Sequence, residues 1–80
     1  MDRSDLKRHD FYSGPQRLGD LWTLSRDTLT MRCTLTTHPL GWELRLTART
    51  LLRSQVCKSE AEVFSVSDAW ETEAKQKGYS

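Results

Sequence analysis

The chain is poor in the residues that announce chemistry. Its 80 residues include only two cysteines, two histidines, two prolines and four glycines. Cys33 and Cys57 form no Cys-x-x-Cys pair, and together with His9 and His38 they match no zinc spacing. Neither a metal centre nor a cofactor is therefore expected. Two isolated thiols read as reduced cysteines of a cytoplasmic protein. A disulfide between them would need neighbouring strands with both side chains on one face. No apolar run exceeds three residues, against the ~20 that a membrane-spanning helix requires. Met1 to Asp10 is charged and lacks an apolar segment, so no secretory signal is expected. Gly-x-Gly-x-x-Gly, Walker and Gly-x-Ser-x-Gly patterns are missing as well. An enzyme is not expected, and neither is a small-molecule ligand.

What is present describes a small folded domain. Apolar residues make up 36% and charged residues 29%, a balance typical of globular proteins. Three Trp, two Phe and two Tyr supply bulk for a core that buries roughly 60% of the unfolded chain's surface. The net charge is only +1, but its distribution is uneven. Residues 21–58 carry six cations against two carboxylates, a net of +4, and residues 59–80 carry two against five, a net of −3. A basic middle precedes an acidic tail.

Residues 1–20 show no periodicity and contain Ser13-Gly14-Pro15 and Leu18-Gly19-Asp20, both turn-forming. They read as a flexible arm that Phe11, Tyr12 and Leu18 could pin to the body. Residues 21–80 read as a single ββββα domain. Leu21–Arg26 is the first strand, with Trp22 and Leu24 on one face, and Arg26-Asp27 is its turn. From Thr28 to Thr37, Leu29, Met31, Cys33 and Leu35 alternate with Thr and Arg. That is the pattern of a half-buried antiparallel strand. His38-Pro39-Leu40-Gly41 has type I turn chemistry. Trp42 to Ala48 alternates again, with Trp42, Leu44 and Leu46 inward. The turn after Ala48 lacks Gly and Asn, which leaves its register open. In the last strand, Leu51–Cys57, the parity taken puts Leu52, Ser54 and Val56 inward and Leu51, Arg53, Gln55 and Cys57 outward. The opposite parity would bury Leu51 and Cys57.

Ser59 and Glu62 fit a capping box, and Val63, Val66, Trp70 and Ala74 recur at helical spacing. Acids at the start, Lys75 and Lys77 at the end and Gly78 as a stop complete a helix. Because Val63-Phe64-Ser65-Val66-Ser67 is rich in β-branched and hydroxyl residues, the helix could instead begin at Ser65 or Ser67. The expected fold is therefore α+β: an antiparallel meander of three or four strands with one C-terminal amphipathic helix packed on one face.

The candidate binding surface is the sheet face away from the helix. It would display Arg32, Arg45, Arg49, Arg53, Thr30, Thr34, Thr47 and Gln55. Guanidinium and hydroxyl groups suit phosphates, yet any one-sided sheet needs a polar face. The expected outward face carries no aromatic platform for stacking bases. The helix carboxylates Glu60 and Glu62, and Glu71 and Glu73, lie two apart and do not face one another. His38 in its turn reads as a surface residue. Cys57, outward beside Lys58, reads first as a packing residue, with a mildly activated thiol as the alternative. Trp22, Trp42 and Trp70 read as one core cluster rather than a ligand box.

Leu40-Gly41-Trp42-Glu43-Leu44-Arg45-Leu46, then Leu51-Leu52-Arg53-Ser54-Gln55-Val56-Cys57 and Ser59-Glu60-Ala61-Glu62, resembles small bacterial proteins of unassigned activity. Those chains end in a Gly-Trp-Glu strand, a second strand and an acidic Trp-containing helix. The likeness covers roughly residues 21–78 and implies a stand-alone bacterial protein. The strand–strand–helix order is also similar to the sheet DNA-binding domains of integrases and the plant AP2 group, which read DNA with Arg and Trp. Here only Arg32, Arg45 and Arg53 stand at comparable outward positions, and Trp42 points inward. The leading expectation is a non-catalytic interaction module, binding a protein partner or a second copy of itself through the sheet face or an edge strand. The alternative is nucleic-acid binding through the basic face.

Overall fold

Alternation between Leu29 and Leu35 makes the second strand the organising element, because one of its faces must be covered. A computed structural model describes residues 15–80. The expectations for Phe11, Tyr12 and the remainder of residues 1–14 lie outside it. Four strands, β1 (Arg17–Arg26), β2 (Leu29–His38), β3 (Gly41–Ala48) and β4 (Thr50–Cys57), precede one helix, α1 (Glu60–Gln76). The strands form one antiparallel sheet in the order β1-β2-β3-β4. The fold is the expected α+β meander with its C-terminal helix.

Strand β1 starts at Arg17, so residues 17–20 belong to the sheet and not to an arm. Register shifts between Arg17 and Gly19 and between Asp20 and Trp22 explain why alternation could not reveal this. Each bulge inserts an unpaired residue and resets the period of two. Asp27, at φ 55°, turns the chain into β2; Asp is among the few residues that tolerate the left-handed region. His38 pairs with Gly41 across the next turn, where His38 Nδ1 accepts the Leu40 N–H at 3.1 Å. Gly41 has φ 143°, and a Cβ there would stand 2.5 Å from the Cys57 carbonyl oxygen. Only glycine lets the start of β3 approach the end of β4 this closely.

The β3–β4 connection is a single residue. Ala48 pairs with Thr50, and Arg49 between them takes φ 69°. Strand β4 then reverses the expected parity. Leu46 pairs with Arg53, whereas Thr47 pairs with Leu51, so Leu52 is the extra residue of a bulge. Beyond it, Arg53, Gln55 and Cys57 lie on the helix side opposite Leu46, Leu44 and Trp42. Ser54 and Val56 lie on the open side opposite Arg45 and Glu43. Cys57 is fully buried.

The core joins Leu24, Met31, Cys33, Leu44, Leu46 and Cys57 of the sheet to Val63, Trp70 and Ala74 of α1, with Tyr79 closing one end. Trp22 and Trp42 pack against it half-buried, so the three tryptophans share one core. Cys33 and Cys57 are free thiols on strands separated by β3, which excludes a bridge between them without rearrangement.

Helix α1 begins at Glu60 without an extended lead-in. Ser59 Oγ accepts the Glu62 N–H at 3.1 Å. The Glu62 carboxylate accepts from the Lys58 N–H at 2.9 Å, one residue earlier than a standard capping box requires. The buried stripe is Val63, Ser67, Trp70 and Ala74. Ser67 takes the central place expected of Val66, which is half-buried beside it. The exchange works because the Trp22 indole N–H donates to Ser67 Oγ at 3.1 Å and to its carbonyl at 3.2 Å. A buried hydroxyl that is hydrogen-bonded carries little penalty.

The helix ends in a Schellman motif. Tyr79 N–H bonds to Ala74 O at 3.1 Å and Gly78 N–H to Lys75 O at 3.0 Å, with Gly78 at φ 97°. The turn delivers Ser80 to β1, where Ser80 and Ser25 exchange both backbone hydrogen bonds at 2.9 Å.

Candidate functional site

Three surfaces could meet a partner: the open sheet face, the β1 edge and the β4 edge. The open face carries five of the eight residues named from sequence, Thr30, Arg32, Thr34, Arg45 and Thr47, by strand register. Arg17, Asp20, Thr36 and Val56 join them there. Arg49 sits exposed at the β3–β4 tip. Arg53 and Gln55 are on the other side of the sheet, since the bulge at Leu52 turned the strand over.

Its carboxylates largely neutralise the open face. Asp20 accepts from Arg17 Nη2 and from Thr34 Oγ1, both at 2.8 Å, and lies 3.8 Å from Arg32. The bonds from Arg17 and Thr34 hold the Asp20 carboxyl below its ordinary range. Arg45 lies 3.3 Å from Glu43. A groove of about 410 Å³ runs between Arg17 and Arg45 over Thr34, Thr36 and Thr47. Three arginines against two carboxylates leave a polar surface with little net positive charge.

The β1 edge is guarded. Two bulges interrupt it, and Ser80 occupies it at Ser25. Arg26 fastens that end: its guanidinium stacks 5.0 Å from the Tyr79 ring centre and donates to Lys77 O at 2.7 Å.

The β4 edge is different. Thr50 through Gln55 are all exposed, Leu51 by 54% and Leu52 by 50%. Among the described residues no strand pairs with β4 on the side away from β3. Arg53 does not project over the edge as a guard. Its guanidinium stacks 4.8 Å from the Trp70 ring centre and donates to Glu73 Oε1 at 2.7 Å. Between β4 and α1 lies a groove of about 470 Å³, walled by Arg53 and Gln55 on one side and Ser65, Ala69, Thr72 and Glu73 on the other. An unpaired strand lying beside a groove can accept an extended chain.

Cys57 packs in the core and not on the outward face expected of it. Burial pushes its pKa up, and burial pushes Cys33 up to about 11, against a smaller opposing effect from the Ser67 hydrogen bond. Both thiols are therefore weak nucleophiles. Among the described residues no group of three or more His, Cys, Asp and Glu could hold a metal ion. No helix among them is long and apolar enough to cross a membrane.

Sequence reasoning had named an edge strand in general; what it missed was which edge. The signal lay in Leu51-Leu52, two adjacent leucines that no single parity can bury together. Comparison with protein-family models, curated proteins and solved structures finds no match to this chain.

Proposed function

We propose that this protein is a small non-catalytic interaction module that binds an extended segment of a protein by strand addition at β4. The observation that carries the reading is the run of exposed residues Thr50 to Gln55 on an edge that no strand covers among the described residues. Main-chain groups along β4 would supply affinity, and the groove toward α1 would select side chains. Gln55 and the paired Arg53–Glu73 offer polar contacts, while Leu51 and Leu52 offer apolar ones.

A labelled peptide with the sequence of residues 50–57 tests this by fluorescence anisotropy against the full chain. Binding is expected, and N-methylation at alternate peptide residues should abolish it in one of the two phases, because only alternate amides face the edge. Binding that survives both methylated peptides would refute strand addition.

A second reading, nucleic-acid binding on the open face, is favoured by the Arg17–Arg45 groove. It predicts affinity for duplex DNA or single-stranded RNA that falls steeply with salt and is lost in Arg32→Glu/Arg45→Glu. The pairing of those arginines with Asp20 and Glu43 ranks it below the first.

A further inference from the structure

We infer that the strand added at β4 is the β4 of a second copy, antiparallel and centred on Ser54, which joins two four-stranded sheets into one with both helices on the same face. The inference rests on the reading of β4 as a strand-accepting edge and names its partner.

Symmetry narrows the register. An antiparallel edge-to-edge pair has its twofold axis normal to the sheet, so residues that meet across it share a face. A centre at Arg53 would set two guanidiniums directly opposite each other, which is unfavourable. A centre at Gln55 shortens the overlap and leaves Leu51 uncovered. The centre at Ser54 brings Arg53 opposite Gln55 of the partner subunit on the helix side, guanidinium donors to an amide oxygen. If the bulge at Leu52 is taken up as it is against β3, where Leu51 follows Arg53 in the pairing, Leu51 meets Val56 of the partner subunit on the open face. An exposed leucine and a half-buried valine would then cover each other.

Charge on the helix points the same way. Helix α1 carries Glu60, Glu62, Asp68, Glu71 and Glu73 against a single lysine, Lys75. Two such helices side by side would repel if their acids met. The flank that walls the β4 groove is instead Ser65, Ala69, Thr72 and Gln76, and Glu73, the one acid there, is already paired with Arg53. The acidic helix thus turns a small, uncharged flank toward the position a second helix would take.

The test is sedimentation equilibrium of the full chain from micromolar to millimolar concentration, with three variants. The wild type should form a dimer. Gln55→Arg, which sets like charges opposite twice per dimer, should weaken it about ten-fold. Ser54→Cys should give a disulfide-linked dimer under mild oxidation, since a residue on the axis meets its own copy within about 5 Å. Arg32→Cys, on the open face, should not. A chain that stays monomeric at millimolar concentration, a dimer indifferent to Gln55→Arg, or equal cross-linking through Arg32→Cys would overturn the inference. If the 50–57 peptide binds while the chain stays monomeric, the strand-accepting reading stands and the second copy falls. If neither is seen, both fall.

Discussion

The sheet has two edges, and the chain treats them unlike each other. On β1 two protective devices are in use: two bulges, and a Tyr79–Ser80 segment that seals the end through the Ser25–Ser80 pair. On β4 the one charge of the strand, Arg53, is folded back onto Trp70 and Glu73, and no segment among the described residues covers the edge. A meander of this size must leave two edges, and unprotected edges invite association. Protection spent on one edge only gives association a direction. That asymmetry is the reason to look for a partner at β4.

The β4 edge is most vulnerable at Gly41. Gly41→Ala should cost about 3 kcal/mol, because its Cβ meets the Cys57 carbonyl at 2.5 Å and its φ of 143° disfavours any side chain. Urea denaturation would measure the loss, and hydrogen exchange should show the Cys57 end of β4 opening first. Tyr79→Ala should cost about 2 kcal/mol through lost burial and the lost stack with Arg26. In that variant the amides of β1 near Ser25 should lose protection while those of β4 change little. Equal loss at both edges would mean that Tyr79 supports the core in general rather than the β1 edge.

Arg49→Gly sharpens the contrast in the other direction. Removing the Cβ from a residue at φ 69° should stabilise the chain by up to about 1 kcal/mol, read as a raised urea midpoint. The smallest effect is that of pH. Asp20 has its pKa lowered in the folded state by Arg17 and Thr34, so its contribution is complete above the ordinary value of 3.8 and is lost as pH falls through the folded value. Asp20→Asn should therefore cost a little stability at neutral pH and converge on the wild type as pH falls through the folded value, which flattens the acid limb of the stability curve. A variant that stays equally destabilised below that range would show Asp20 acting through something other than its charge.

Most of the architecture was legible because the central strands obey one rule. Leu29 to Leu35 and Trp42 to Leu46 alternate without interruption, and Ser59 with Glu62 marks the helix start, so strand number, order and the covering helix followed. Legibility failed wherever an extra residue was inserted. The bulges at Leu18 and Leu21 hid the first turns of β1 inside what read as an arm. The bulge at Leu52 exchanged the faces of Arg53, Gln55 and Cys57 with those of Ser54 and Val56, and so took two residues out of the predicted binding face and put the predicted thiol into the core. Ser67 escaped notice for a different reason. A buried serine in an apolar stripe needs a hydrogen-bond partner, and Trp22 supplies one from 45 positions away.

The α+β meander, the basic middle and acidic helix, and the shared tryptophan core follow from local periodicity, capping and composition alone. Which way β4 faces, whether Arg53 guards its edge or stacks on Trp70, and which edge Ser80 closes emerge only in the folded chain. Those outcomes depend on where bulges fall and on contacts between residues far apart in the chain. Period and composition do not encode such contacts.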